Sequence, residues 1–241
     1  MRPVINDKYK INSKILNVSR EIYIYHPPDQ EQTYPVIYLL DGHSLHNITA
    51  SLVQRYSERD RIPPAIVVGI ASTDTLRDLT PTEREAYNGK HGGGGAKNFH
   101  KFLTQKLIPI VEEEYQTSHR TLIGHSYGGL YVTHTLATNP ETFDAYLAYS
   151  PWFNQSDNTI INQISQQLQQ GYSEHKQFYL AHEPIESPGI ENSIVKLKKV
   201  LEKHTSKDFN WTYKRYSDAD HSNLPLKTIP DALDFFYPGH S

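Results

Sequence analysis

Thr121-Leu122-Ile123-Gly124-His125-Ser126-Tyr127-Gly128-Gly129 decides the fold of this chain, because it sets one serine between glycines directly after a short apolar run. The spacing is G-x-S-x-G, in which the serine occupies a tight, strained turn between a strand and a helix. Side chains two positions before and after the serine are expected to collide with the neighbouring strand and helix, and glycine removes the collision. Residues 120–125 accordingly read as a brief buried strand and 126–138 as a helix, stopped at Asn139-Pro140.

The neighbouring segments extend the pattern in both directions. Lys8–Leu16 and Ser19–His26 alternate in part and read as antiparallel strands. Pro35–Leu40 and Ala65–Ile70 are continuous apolar strands of the kind buried on both faces, and Leu45, Ile48, Leu52, Val53 and Tyr56 between them fall at helical spacing. Residues 72–95 read as a long irregular segment. A helix then carries Phe99, Phe102, Leu103, Leu107, Ile110, Val111 and Tyr115 inward, with a kink expected at Pro109. Beyond the serine come strand 143–150, helix 158–170, strand 177–182, helix 190–204, strand 210–216 and helix 227–236. Strands alternating with helices predict an α/β fold: a mostly parallel central sheet, antiparallel strands at its N-terminal side, and helices on both faces. No linker-like stretch divides the chain, so 1–241 is expected to be a single domain.

Composition excludes several classes of chemistry. With no cysteine among 241 residues, thiol nucleophiles, thiolate metal sites and disulfides are impossible. A net charge of −3 gives no general attraction to nucleic acid or anionic membrane. No apolar run approaches the ~18 residues that cross a bilayer, and the first residues lack the apolar core of a secretory signal, so a cytoplasmic protein is expected. Monomer and homodimer are both compatible with the sequence.

A serine hydroxyl needs a histidine to take its proton and usually a carboxylate to orient that histidine. In the α/β-hydrolase order the acid and then the base follow the nucleophile, at the carboxyl ends of later strands. Of 13 histidines, His182, His221 and His240 satisfy that order. His221 lies in the loop after the last strand and is the expected base. His240 belongs to the tail, and His182 sits on the strand that should carry the acid. Glu183 follows that strand directly and is the leading acid, with Glu186, Glu191, Asp218 and Asp220 as alternatives.

Two segments compete for the oxyanion hole. His91-Gly-Gly-Gly-Gly95 imitates the H-G-G-G element of some esterases but stands too near Ser126, leaving room for one helix and one strand only; it reads as a flexible loop and helix entry. Leu40-Asp41-Gly42-His43 ends a buried strand far upstream, so the backbone N–H groups of His43 and Tyr127 are the expected oxyanion donors.

Taken together, Tyr38–Gly42, Arg77-Asp-Leu-Thr-Pro81, residues 94–99, Arg120–Leu130, Phe143–Trp152 and Asp220-His221 resemble the esterase family that includes esterase D-like enzymes and the enterobactin and salmochelin (siderophore) esterases. The resemblance covers most of the chain. It implies an α/β-hydrolase fold, carboxylic-ester hydrolysis without metal or organic cofactor, a small-molecule ester substrate, and Glu183 at the acid position, although some siderophore-esterase relatives manage with serine and histidine alone. Where many relatives have Ser-Pro-Ser followed by paired tryptophans, this chain has Ser150-Pro-Trp-Phe-Asn154. Trp152 and Phe153 therefore either line a pocket or cap the core, and Arg77 either meets an anionic substrate or pairs with Asp78 or Glu83. The expected function is a serine carboxylic-ester hydrolase acting through an acyl-enzyme on siderophore-type esters. A short-acyl carboxylesterase, a thioesterase or acyltransferase, and a non-catalytic binding module on a hydrolase scaffold are its rivals.

Overall fold

A computed structural model of the chain describes residues 6–29, 32–85, 89, 91–153, 158–204 and 206–239. The two alternating N-terminal runs form β1 (Asn6–Ser13) and β2 (Val18–Tyr25), an antiparallel pair turned at Asn17 in the left-handed region. Next come β3 (Tyr34–Leu40), α1 (Gly42–Ser57) and β4 (Ile66–Ile70), a parallel unit whose strands are buried on both faces, as their unbroken apolar runs require.

Helix α1 departs from its expected facing. Its buried positions are Gly42, His46, Thr49, Ala50 and Val53, while Ile48 is 48% exposed. The cause lies in the adjoining strand: a Cβ on Gly69 would stand 2.8 Å from the His46 side chain, and one on Gly42 would stand 2.3 Å from the Gly69 backbone. Two glycines thus let the helix lie close, with a histidine ring turned inward in place of the isoleucine.

The segment expected to be irregular contains structure. It holds α2 (Thr75–Leu79), capped by Asp74, whose side chain accepts the Arg77 N–H, and a hairpin of β5 (Glu83–Glu85) with β6 (His91–Gly93). The glycine run read as a flexible loop is packed. Gly93 has φ +109° and a Cβ there would lie 2.3 Å from Thr80 Oγ1, while one on Gly95 would lie 2.3 Å from the Arg77 carbonyl oxygen. Gly95 does serve as helix entry, preceding α3 (Ala96–Phe102). The kink expected at Pro109 takes the form of a π turn over Leu103–Leu107, followed by α4 (Ile108–Glu114) with the proline in its first turn. Proline has no N–H to give, and at a helix start none is required.

The remainder follows the expected alternation: β7 (Thr117–His125), α5 (Tyr127–Thr138), β8 (Ala145–Tyr149), α6 (Asn158–Gln170), β9 (Lys176–His182), α7 (Pro188–Lys203), β10 (Phe209–Arg215) and α8 (Leu224–Phe236). Eight strands make one sheet in the order β1-β2-β4-β3-β7-β8-β9-β10, parallel from β4 to β10 and antiparallel at β1 and β2. One face of the sheet joins a core with Val53 of α1 and Ile229, Leu233 and Phe236 of α8. The other face joins a second core with residues of α3 to α7, among them Phe99, Leu130, Ile164 and Leu197. Strand β3 is the point where the order reverses, since β4 lies on one side of it and β7 on the other. Crevices that bind ligands open at the carboxyl ends of the strands at such a point.

Candidate active site

Three strands adjacent in the sheet, β3, β7 and β8, are each followed directly by a residue held at positive φ: Asp41 (56°), Ser126 (56°) and Ser150 (46°). None is glycine, and such backbone persists only where the surroundings enforce it, most often at functional sites. Ser126 combines φ 56° with ψ −116° and stands at the start of α5. Its N–H donates to the Tyr149 carbonyl (3.1 Å), and its own carbonyl accepts from Leu130 N–H (3.0 Å) and Trp152 N–H (3.0 Å).

The glycines of the turn have unequal duties. A Cβ on Gly124 would lie 2.4 Å from the Gly128 carbonyl carbon and oxygen, and one on Gly129 would lie 2.8 Å from the Tyr149 carbonyl oxygen. At Gly128 a Cβ meets nothing nearer than the Leu40 side chain at 3.4 Å. The collision expected on both sides of the serine therefore falls on Gly124 and Gly129, not on a side chain at position 128. That same contact with Leu40 shows that the start of α5 adjoins the end of β3, where α1 begins. The first N–H groups of each helix, those of His43 and Tyr127 among them, have no partner within their own helix.

His221, in the loop after β10, meets Glu183, directly after β9. The two side chains are 2.8 Å apart, Nδ1 to Oε1. Glu183 is 3% exposed, and its second oxygen accepts a hydrogen bond from the Ser150 hydroxyl. Burial pushes the Glu183 carboxyl up, but hydrogen bonds from His221 and Ser150 outweigh it and hold the group below its ordinary value. Of the alternative carboxylates, Glu191 takes the Arg215 guanidinium (3.2 Å), and Asp218 and Asp220 are also engaged elsewhere. Asp218 takes the Lys227 ammonium (2.5 Å), and Asp220 accepts from the N–H groups of Ser222 (2.8 Å) and Asn223 (2.9 Å), shaping the turn that presents His221. His182 is buried, with Nδ1 2.7 Å from the Glu183 carbonyl oxygen and Nε2 2.8 Å from the Tyr213 hydroxyl, so it braces the backbone of Glu183. His240 lies outside the described residues.

Rings flank the imidazole of His221, which remains 44% exposed. The His125 ring is 4.2 Å from it, centroid to centroid, and is itself stacked on Tyr149 at 5.0 Å. Burial, with the neighbouring His221 acting in the same direction, depresses His125 to about 3, so this ring is neutral near neutral pH. Trp152 stands edge-on to His221 at 5.8 Å, half-buried, whereas Phe153 is wholly buried in the core. Arg77 lies in a bidentate pair with Asp78 (2.7 and 2.9 Å), and Asp78 is also bonded to the buried Arg20.

Ser150 and Arg84 escaped the sequence reading. Ser150 obeys the rule that found Glu183, a polar residue at the carboxyl end of a buried strand. Arg84 follows no local pattern: it is 6% exposed in β5, with its guanidinium 5.2 Å over the Tyr127 ring and a hydrogen bond to the Trp152 carbonyl (3.2 Å). Among the described residues no group of three or more His, Asp or Glu side chains is placed to hold a metal ion, and no helix is long and apolar enough to cross a membrane.

Comparison with known proteins adds the following. A family model described as "Putative esterase" matches residues 13–219. Ferri-bacillibactin esterase BesA of Bacillus subtilis (strain 168) is 35% identical over 162 residues, covering 58% of this chain and 56% of that protein. The siderophore enterobactin esterase of Emericella nidulans is 35% identical over 141 residues, covering 49% and 46%. The matches thus span about half the length of these curated relatives. Among solved structures, an IroE-like serine hydrolase from Shewanella oneidensis superposes with a TM-score of 0.86 at 28% identity over 97% of this chain and 80% of that one. The BES protein of Bacillus cereus gives 0.86 at 23% identity over 99% of both chains, a likeness of fold.

Proposed function

Because the chain belongs to the esterase family whose model spans residues 13–219, we propose that it is a serine carboxylic-ester hydrolase with Ser126, His221 and Glu183 as nucleophile, base and acid. The observation that carries this reading is the His221–Glu183 pair, 2.8 Å apart, with the His221 ring 4.2 Å from that of His125, the residue before a serine held at φ 56° between a strand and a helix. With Nδ1–H directed at Glu183, the Nε2 lone pair of His221 is left to accept the Ser126 proton. Oγ of Ser126 attacks the ester carbonyl carbon, and the carbonyl oxygen takes the charge. The N–H groups of His43 and Tyr127, in the first turns of α1 and α5, stabilise that oxyanion, each typically by about 3 kcal/mol. His221 then returns the proton to the leaving alkoxide, and the C–O bond breaks to leave an acyl-serine. Water repeats the sequence, giving its proton to His221 and releasing the carboxylic acid and free Ser126.

The substrate class proposed is the siderophore-type ester, on the ground that relatives sharing 35% identity are named for bacillibactin and enterobactin. Trp152, half-buried beside His221, is the proposed apolar wall for the substrate. Arg77, paired with Asp78, would meet an anionic group only by sharing that partner. In the Ser126→Ala variant, hydrolysis of a p-nitrophenyl ester and of a catecholate trilactone should fall to background, with the melting temperature within about 2 °C of the wild type. Turnover retained by Ser126→Ala would overturn the proposal.

A further inference from the structure

We infer that Arg84 is a positioning residue for ester hydrolysis, holding Tyr127 and the backbone of Trp152 in register across the mouth of the site; the inference rests on the hydrolase reading above. Arg84 comes from the β5–β6 hairpin, an element apart from the strands and loops that supply Ser126, Glu183 and His221. Its guanidinium nevertheless lies 5.2 Å over the ring of Tyr127, the residue after the nucleophile, and donates to the carbonyl of Trp152 (3.2 Å). The N–H of that same Trp152 donates to the Ser126 carbonyl (3.0 Å), and its indole stands 5.8 Å from the His221 ring. One cation therefore touches both segments that flank the nucleophile, and one of those segments also meets the base.

The chemistry favours arginine at this point. A planar, delocalised guanidinium can stack on an aromatic face while its edge donates in the plane, whereas an ammonium on a flexible stem cannot do both. Arg84 is 6% exposed, so it braces the wall of the site from behind and does not stand in the substrate's path. Its fixed positive charge also lies near Tyr127, whose N–H is assigned to the oxyanion. The hairpin is anchored from beneath, since the Gly94 N–H donates to Thr80 Oγ1 (3.2 Å) and the Gly95 N–H to the Arg77 carbonyl (2.9 Å). Those contacts tie the end of the hairpin to α2 and the residue after it, and Asp78 of α2 is in turn bonded to the buried Arg20.

The test compares wild type with Arg84→Met, Arg84→Lys and Arg84→Ala, reading kcat, KM and melting temperature on one p-nitrophenyl ester at a temperature where all are folded. A displacement of about 1 Å at a reacting centre can cost 10²-fold, so kcat of Arg84→Met should fall at least tenfold with KM changed less than threefold. Arg84→Lys should share most of that loss, and millimolar guanidinium chloride should restore part of the rate of Arg84→Ala without accelerating the wild type. A purely structural residue would lower stability without this split and without rescue. A folded Arg84→Met with kcat within twofold of wild type would overturn the inference. Should Arg84→Met fail to fold, Arg84→Lys is held to the same limit. An inactive wild type would overturn the hydrolase reading and this inference with it, a result distinguishable from an active wild type with an unaffected variant.

Discussion

Each oxygen of the Glu183 carboxylate has its own donor, the His221 ring on one side and the Ser150 hydroxyl on the other. This is why its hydrogen bonds outweigh burial and keep the group ionised. An amide in that place has one acceptor and an NH2 that would face one of the two donors. Glu183→Gln should therefore lower kcat by about 10²-fold or more while KM changes little, because orientation of the imidazole matters most as it gains charge. Equal kcat in Glu183→Gln and wild type would remove the acid from the mechanism. The candidates Ser126, Glu183 and His221 are each named by position after an expected strand, and the structure pairs His221 with Glu183. Ser150 was legible by the same rule and went unread. Arg84 was not legible, since what distinguishes it is a hairpin folded across the sheet end, a contact with no trace in local spacing.

At the scale of elements, long apolar runs declared β3, β4, β8 and β9, and the glycine spacing declared the strand, turn and helix around Ser126. Segments too short to show a period did not declare themselves: α2 has five residues and β5 and β6 three each. Helix α1 misled for a different reason, because the inward residue was decided by the room that Gly69 leaves for His46 rather than by hydropathy. The elbow offers a sharp test of its own geometry. Gly124→Ala must push a Cβ into the Gly128 backbone at 2.4 Å, while Gly128→Ala meets only a side chain at 3.4 Å. Overpacking against backbone costs about 1–3 kcal/mol or more, so Gly124→Ala should lower the melting temperature markedly and abolish turnover, with Gly128→Ala close to wild type in stability. Equal melting temperatures for the two variants, by calorimetry, would contradict this account of the turn.

For the whole molecule, acid stability follows from the histidines. Burial depresses His46 and His134 to about 4, and burial together with His221 depresses His125 to about 3, from an ordinary value of 6.5. The unfolded chain therefore binds more protons than the folded one below about pH 6.5, and stability must fall as pH falls through that range. Glu183 acts in the same direction at lower pH: its folded value is depressed, so its contribution is present above the ordinary carboxylate range and is lost on further acidification. The melting temperature should decline steadily from pH 7.5 to 5, with proton uptake on unfolding; a flat profile would show that these rings are not buried neutral. Sheet order brings the segments after β7, β8 and β9 together at one rim, where Glu183 meets both Ser150 and His221. The most direct test of that claim is mass spectrometry of the intact protein after brief reaction with a fluorophosphonate, a reagent that modifies serines activated by a neighbouring base. The account predicts one adduct, on Ser126, formed fast in the wild type and suppressed in the His221→Ala variant, whereas an unmodified protein, or an adduct on another residue, would contradict it.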